Sequence, residues 1–142
     1  MPVRNAEAVW EGNLKEGKGK MKVGSGVFEV NYSYSTRFEN APGTNPEELV
    51  GAAHAGCFSM ALSGGLSREG FTPRSIHTKA QVTLETVEGK ARITRIHLDT
   101  EASISGISND KFQQIALASK EGCPVSVALS NVPITLTARL IP

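Results

Sequence analysis

The chain has 142 residues, which is the size of one domain, and we expect residues 1–142 to form it. Charged residues make up 20% of the chain and the formal net charge is +1, so the charge favours neither nucleic acid nor an anionic membrane as a partner. We find no run that is long and apolar enough to span a bilayer, and no apolar signal region at the start, so the expected compartment is the cytoplasm.

Alternating apolar and polar residues predict three strands before residue 35. The segments are 4–11, 18–23 and 28–34, with turns at 14–17 and 24–26. The first of them has the character of an edge strand.

A long helix is predicted next. Asn45 is a good N-cap, Pro46 suits the first helical position, and Glu48 lies three residues after Asn45, where it completes a capping box. The helix should end near Arg68, before the breakers at positions 70 and 73. Because residues 49–62 include no charged side chain, we expect the helix to be buried on every side.

Two glycines in this helix, Gly51 and Gly56, lower its intrinsic stability and suggest that another backbone approaches closely. One layer of sheet from a single chain covers only one side of a helix. We therefore expect a second copy of the chain to cover the other side, in an intertwined homodimer. A monomer that wraps the helix fully is the alternative.

The second half alternates strands and helices. Residues 76–84 and 96–102 predict a hairpin with its turn at 88–90, and Ile93 is out of step with its run, which suggests a bulge. A second helix should begin after Ser108 or Asn109 and close at Gly122, followed by a short helix and a last strand at 134–140. The order of elements predicts an α+β fold with antiparallel sheet.

The chain has two cysteines, Cys57 within the long helix and Cys123 before the short one. Pro124 suits the first position of that short helix, which makes Cys123 its N-cap and lowers the expected pKa of its thiol. In a reducing compartment the pair favours a redox role over a structural disulfide. Cys57 could also be a small core hydrophobe, a role that is common for free cysteine and that the residues alone slightly favour, and both possibilities stay open.

Four motifs together closely resemble the OsmC/Ohr family of organic hydroperoxide reductases, and Trp10-Glu11-Gly12 matches its osmotically inducible protein C (OsmC) branch. They are Arg37-Phe38-Glu39, Gly43-Thr44-Asn45-Pro46-Glu47-Glu48-Leu49, Ala52-Ala53-His54-Ala55-Gly56-Cys57-Phe58-Ser59-Met60-Ala61-Leu62 and Cys123-Pro124-Val125-Ser126. The resemblance implies antiparallel sheets wrapped around central helices in an intertwined homodimer.

The resemblance also implies an antioxidant peroxidase of the oxidative and osmotic stress response, without metal or other cofactor. Cys57 would attack the hydroperoxide and become a sulfenic acid, and Cys123 would resolve it as a disulfide. A dithiol, typically a lipoyl group on a lipoylated protein, would reduce that disulfide. Arg37 and Glu47 would complete the site.

Physical chemistry explains why such a site needs these groups. A buried thiol is inert unless a cation stabilises its thiolate, and Arg37 would supply a permanent one, oriented by a bidentate pair with Glu47. Glu47 precedes Cys57 by ten residues on one helix, about 15 Å along its axis. We therefore predict that Glu47 serves the Cys57 site of the other subunit. The alternative is that neither residue serves a site, so that Arg37 is a solvated charge and Glu47 is a carboxylate at the start of a helix.

Two further alternatives remain. His54 shares a helix face with Cys57, so that His54, Cys57 and Cys123 could be three metal ligands, although a packed, hydrogen-bonded histidine is the expected role. The alternative to an enzyme is a non-enzymatic small-ligand carrier or stress-related structural dimer in which Cys57 is structural.

Overall fold

Two three-stranded β-sheets and four helices make up the fold, and the computed structural model describes every residue from Met1 to Pro142. The elements are β1 (Ala6–Glu11), β2 (Lys18–Val23), β3 (Glu29–Tyr32), α1 (Tyr34–Phe38), α2 (Pro46–Arg68), β4 (Ser75–Val87), β5 (Lys90–Ser103), α3 (Asn109–Gly122), α4 (Pro124–Ala128) and β6 (Ile134–Ile141). The predicted α+β class is confirmed. The chain divides into two compact units, Met1–Leu49 and Val50–Pro142.

The first unit is built on an antiparallel sheet in the order β1-β2-β3, with β1 at an edge as predicted. Gly19 lies between the rings of Trp10 and Tyr32, whose centroids are 5.5 Å apart. A Cβ atom at Gly19 would lie only 2.5 Å from the Tyr32 ring and 2.6 Å from the Trp10 ring, so the two aromatic side chains can pack here only across a glycine.

The third strand ends earlier than predicted. Tyr34 was expected to continue β3, but it begins the short helix α1. Ser33 and Thr36 form a reciprocal capping box: the Ser33 Oγ accepts the Thr36 N–H at 3.3 Å, and the Thr36 Oγ1 accepts the Ser33 N–H at 2.9 Å. These bonds satisfy the free amides of a helix start, so the chain turns there although the alternating pattern continues.

The long helix α2 begins and ends where the sequence predicts. The Asn45 side chain accepts the backbone N–H of Glu48 at 2.8 Å, which confirms Asn45 as the N-cap. The Glu48 carboxylate accepts a hydrogen bond from the Thr44 hydroxyl at 2.8 Å instead of closing the capping box on the Asn45 backbone. The last helical residue is Arg68.

One face of α2 is buried and the opposite face is exposed. Phe58, Leu62 and Leu66 are completely buried in the core of the second unit. The exposed face consists of Ala52, Ala53, Gly56 and Met60. A Cβ atom built on Gly56 would meet no heavy atom within 4 Å, so the close approach expected at this glycine is not made within one chain. Burial on every side is therefore wrong for the isolated chain.

By length and composition α2 also qualifies as a candidate membrane span, which contradicts the expectation that no such run exists. The cause is the absence of charge between Leu49 and Leu62. A helix in the core of a globular unit passes the same test, and α2 contributes Leu62 and Leu66 to such a core.

The second sheet has the order β4-β5-β6. Strands β4 and β5 form the predicted hairpin, and its two turn residues, Glu88 and Gly89, have φ angles of 51° and 76°, as a tight hairpin turn requires. Thr83 pairs with Arg95 whereas Leu84 pairs with Ile93, so one residue of β5 is extra. This irregularity confirms the bulge expected next to Ile93.

Strand β6 pairs with β5 in the parallel sense, so the expectation of antiparallel pairing fails for this one pair. The reason is the connection: α3 and α4 lie between the two strands and form a crossover long enough to return the chain in the same direction. As predicted, α3 has Ser108 as its N-cap; it buries Phe112, Ala116 and Ser119.

Candidate functional site

The two cysteines meet in the second unit although 66 positions separate them in the sequence. Cys57 lies midway along α2 and is half-buried, whereas Cys123 is fully buried between α3 and α4. Their sulfur atoms are 2.8 Å apart and both are free thiols. Since a disulfide has an S–S distance of about 2.05 Å, a closure of less than one ångström would join them.

Local structure fixes Cys123 from both sides. It is the C-cap of α3, where its backbone N–H bonds the Ser119 carbonyl at 3.0 Å, and it is also the N-cap of α4. The position before Pro124 therefore agrees with the prediction from sequence.

The surroundings shift the pKa values of the two thiols in opposite directions. Burial raises the pKa of the Cys57 thiol, and the neighbouring Cys123 adds to that effect. Burial also opposes ionisation of Cys123, but its interactions with Cys57, with the backbone and hydroxyl of Ser126 and with the Val125 backbone outweigh that effect and lower the pKa of Cys123.

Arg37 and Glu47 form an ion pair within the first unit. The Arg37 Nη2 and Nε lie 2.8 Å and 3.0 Å from the same Glu47 carboxylate oxygen. Glu47 is buried, whereas 37% of the Arg37 side chain is exposed. Glu47 therefore orients the guanidinium, as the sequence analysis expected for this pair, and leaves its remaining N–H groups free.

His54 is completely buried, and its Nε2 lies 2.7 Å from the Ser126 Oγ. It is thus the packed, hydrogen-bonded histidine that the sequence predicts. Ser126 is the residue of this cluster that sequence reasoning missed, although it belongs to the Cys123-Pro124-Val125-Ser126 motif. Its signal is its spacing: three residues after an N-cap, a side chain can reach back to that cap.

The structure gives no support to the alternative of a metal site formed by His54, Cys57 and Cys123. No group of three or more His, Cys, Asp or Glu side chains is placed to hold a metal ion. The Nε2 of His54 is engaged by Ser126, and its Nδ1 is buried without a hydrogen-bond partner.

A cavity of about 1040 Å³ lies elsewhere, as an open groove in the first unit. Its walls come from positions 7–44, including Gly19, Tyr32 and Thr36, and neither cysteine lines it. Size alone would direct attention to this groove, but the reactive groups lie elsewhere. We therefore assign the candidate site to the thiol pair.

Comparison with known proteins adds to this geometry. The OsmC family model, described as OsmC-like protein, matches residues 38–137. The chain is 49% identical over 138 residues to a protein named peroxiredoxin OsmC from Escherichia coli strain K12, and the match covers 96% of each chain. The protein of the same name from Shigella flexneri matches equally well.

Solved structures share the fold at lower identity. An OsmC-like protein of unknown function from Vibrio cholerae aligns with a TM-score of 0.77 and 17% identity, over 97% of this chain and 99% of that one. An organic hydroperoxide resistance protein from Elizabethkingia anophelis gives 0.76 and 23%, over 99% of both chains. OhrB of Bacillus subtilis, another organic hydroperoxide resistance protein, gives 0.71 and 24%, over 95% and 98%.

These structures confirm the expected fold, and the family model spans both the helix that carries Cys57 and the turn that carries Cys123. With nearly half of its residues identical to those of a curated relative of the same length, the chain belongs to the OsmC family.

Proposed function

We propose that the protein is a thiol-dependent peroxidase that reduces organic hydroperoxides to alcohols. The observation that carries this proposal is the 2.8 Å separation of two free sulfurs that lie 66 positions apart in the chain. A pair of thiols at this distance can cycle between dithiol and disulfide without rearrangement of the fold. The name of the Escherichia coli relative, peroxiredoxin OsmC, supports the same chemistry.

The first half of the cycle oxidises Cys57. Cys57 first gives its proton to solvent, and its thiolate then attacks the distal oxygen of the hydroperoxide, so that the O–O bond breaks. The products are a Cys57 sulfenic acid and an alkoxide, which takes a proton from solvent and leaves as the alcohol. The hydroperoxide gains two electrons and Cys57 loses two.

The second half closes and reopens a disulfide. The Cys123 thiolate attacks the Cys57 sulfenic sulfur, an S–S bond forms, and hydroxide leaves and is protonated to water. A dithiol then reduces the disulfide by two exchange steps and becomes a disulfide itself. We propose a lipoyl group on a lipoylated protein as that dithiol, and the cytoplasm as the compartment that keeps it reduced.

We further propose that the protein acts as a homodimer in which residues 1–142 of each copy form one OsmC-like domain. The exposed apolar face of α2, with Met60 79% exposed, supports a covering second copy. Arg37, held by Glu47, would then stabilise the Cys57 thiolate of the other subunit. A guanidinium is needed there because burial disfavours ionisation of Cys57.

The preferred substrates should be bulky alkyl or fatty-acid hydroperoxides rather than hydrogen peroxide. Cys57 packs against the hydrophobic core of the second unit, and Phe58 and Met60 follow it closely on α2. An apolar tail gains free energy by leaving water for such surroundings, and hydrogen peroxide has no tail. Faster oxidation of Cys57 by hydrogen peroxide than by an alkyl hydroperoxide would contradict this preference.

The decisive experiment measures turnover of cumene hydroperoxide with dihydrolipoamide, glutathione or thioredoxin as the electron source. We expect turnover with dihydrolipoamide, none in the Cys57→Ser variant, and a trapped sulfenic acid in Cys123→Ser. Peroxide should also lower the intact mass of the wild type by one pair of hydrogen atoms. A non-enzymatic carrier or structural dimer would show neither turnover nor a mass change.

A further inference from the structure

Two glycines lie side by side near the end of α2, and the surroundings require only one of them. Each glycine weakens the helix relative to alanine. A Cβ atom built on Gly64 would meet only the end of the flexible Arg68 side chain, at 3.5 Å. On Gly65 it would lie 3.0 Å from the Ile115 Cγ2 and 3.4 Å from the Ser119 Oγ, both on α3. The backbone of α2 thus approaches α3 closely at Gly65.

Neither of these α3 side chains can easily move away from Gly65. Ile115 is branched at its Cβ atom, so in a helix its Cγ2 methyl group has essentially one position. The Ser119 hydroxyl is held by its hydrogen bond to the Ile115 carbonyl at 2.7 Å, and the residue is only 6% exposed. An extra methyl group at Gly65 would therefore displace α3 itself by a few tenths of an ångström.

The end of α3 that would be displaced carries Cys123. Ser119 lies four residues before Cys123, and its carbonyl accepts the Cys123 N–H at 3.0 Å. On the other side of Cys123, the Ser126 Oγ lies 2.7 Å from the Nε2 of the buried His54 on α2. The junction between α3 and α4 is thus attached to α2 at two places, by packing at Gly65 and by a hydrogen bond at His54.

The two places of attachment lie on one side of α2. His54 and Gly65 are eleven residues apart, which is about three turns of an α-helix, so they project in nearly the same direction. Cys57 lies between them, three residues after His54. The exposed face of α2, with Gly56 and Met60, is on the opposite side. A change at Gly65 therefore acts on the approach of α3 and not on the proposed subunit interface.

We propose that Gly65 is a positioning residue for disulfide formation, because its bare backbone lets α3 approach α2 closely enough for Cys123 to reach Cys57. The proposal deepens the proposed peroxidase function and rests on it for its catalytic consequence. The two sulfurs are 2.8 Å apart and need to close by less than one ångström to bond. A displacement of α3 by a few tenths of an ångström is a large part of that distance.

The equilibrium of the reduced protein with oxidised dithiothreitol tests the proposal without any peroxide. The oxidised reagent takes two electrons and two protons from Cys57 and Cys123, whose sulfurs then share a bond, and it becomes the reduced dithiol. The fraction of disulfide, measured by intact mass after the remaining thiols are blocked, gives the equilibrium constant. Because a misplacement of one ångström can cost about a hundredfold, we expect Gly65→Ala to lower this constant about tenfold.

The matched control is Gly64→Ala, which adds the same methyl group one residue earlier and should leave the equilibrium constant unchanged. Ile115→Ala removes the methyl group that the new Cβ would meet, so the double variant of Gly65→Ala with Ile115→Ala should recover most of the loss. Ile115→Val keeps that methyl group and should recover much less. The two double variants provide the same comparison if Gly65→Ala alone does not fold.

Rapid oxidation by cumene hydroperoxide separates the two steps of the cycle. In Gly65→Ala the Cys57 sulfenic acid should form at the wild-type rate, because Cys123 takes no part in that step. Its condensation with Cys123 should be about tenfold slower. The longer-lived sulfenic acid should then reduce a second hydroperoxide to its alcohol and become a sulfinic acid, which intact mass detects as two added oxygen atoms. A variant that merely loosened the fold would not separate the two rates.

The outcomes distinguish this proposal from the peroxidase itself. An equilibrium constant for Gly65→Ala equal to that of Gly64→Ala would overturn the positioning role, even if peroxide turnover is normal. A loss that Ile115→Ala does not relieve would overturn it as well. A lowered constant, together with a wild type that does not turn over peroxide, would retain the role of Gly65 in joining the two thiols and refute the peroxidase.

Discussion

Replacing Gly56 by alanine tests, through the sign of its effect, whether a second copy covers the exposed face of α2. Within one chain the new Cβ would meet no heavy atom within 4 Å. The substitution would then only remove the helix penalty of glycine, and the free energy of unfolding would rise by about 1 kcal/mol. In the proposed dimer the methyl group enters a packed interface, where overpacking costs about 1–3 kcal/mol. We therefore expect the gain to be cancelled or reversed.

The measurement is urea unfolding at several protein concentrations, combined with sedimentation velocity. An obligate dimer has a midpoint that rises with concentration, because association stabilises only the folded state. Gly122→Ala is the matched control: its Cβ also meets nothing within 4 Å, and it lies in α3. It should be stabilising in either oligomeric state. Gly56→Leu, with a larger side chain, should shift the protein toward monomer.

The reasoning fails if Gly56→Ala is as stabilising as the control and the unfolding midpoint does not depend on protein concentration. That pair of results would mean that the apolar face of α2 is open to water in solution. The Arg37–Glu47 pair would then have no second subunit to serve.

Three further predictions follow from buried and charged groups. Leu62→Ala should cost about 2–5 kcal/mol of unfolding free energy in chemical denaturation, because Leu62 is completely buried; a loss below 1 kcal/mol would contradict its place in the core. Arg37→Lys keeps the charge but loses the two-nitrogen contact with Glu47, so kcat/KM for an alkyl hydroperoxide should fall about ten- to hundredfold; an unchanged value would exclude a role for the guanidinium geometry. Burial raises the pKa of Cys57 and only the thiolate attacks, so stopped-flow oxidation of Arg37→Gln should accelerate as the pH rises above neutrality, while the wild type levels off at lower pH; parallel profiles would separate Arg37 from Cys57.

Local signals in the sequence were sufficient for most elements. Asn45 and Pro46 marked the start of α2, and Ser108 marked that of α3, because a cap is decided by a few neighbouring residues. The capping box of Ser33 and Thr36 is equally local, but it overlaps an alternating run of apolar residues that continues to Tyr34. The capping residues outweigh the alternating pattern here, because a helix cap satisfies backbone amides that the end of a strand leaves without a partner.

Contacts between distant residues were beyond the sequence. The parallel pairing of β5 and β6 depends on how α3 and α4 carry the chain back, which no local pattern records. The bond between His54 and Ser126 joins two helices 72 positions apart. The pairing of Cys57 with Cys123 came from resemblance to a family, because spacing in the chain gives no distance in space.

Joining the Cys57 and Cys123 sulfurs would make a covalent ring through α2, β4, β5 and α3. For a ring of this length, restriction of the unfolded chain contributes about 4 kcal/mol. The oxidised enzyme should therefore melt at a clearly higher temperature than the reduced one. Heat resistance would then report the electron supply, and a cell starved of reductant would accumulate the form of this protein that is hardest to unfold and degrade.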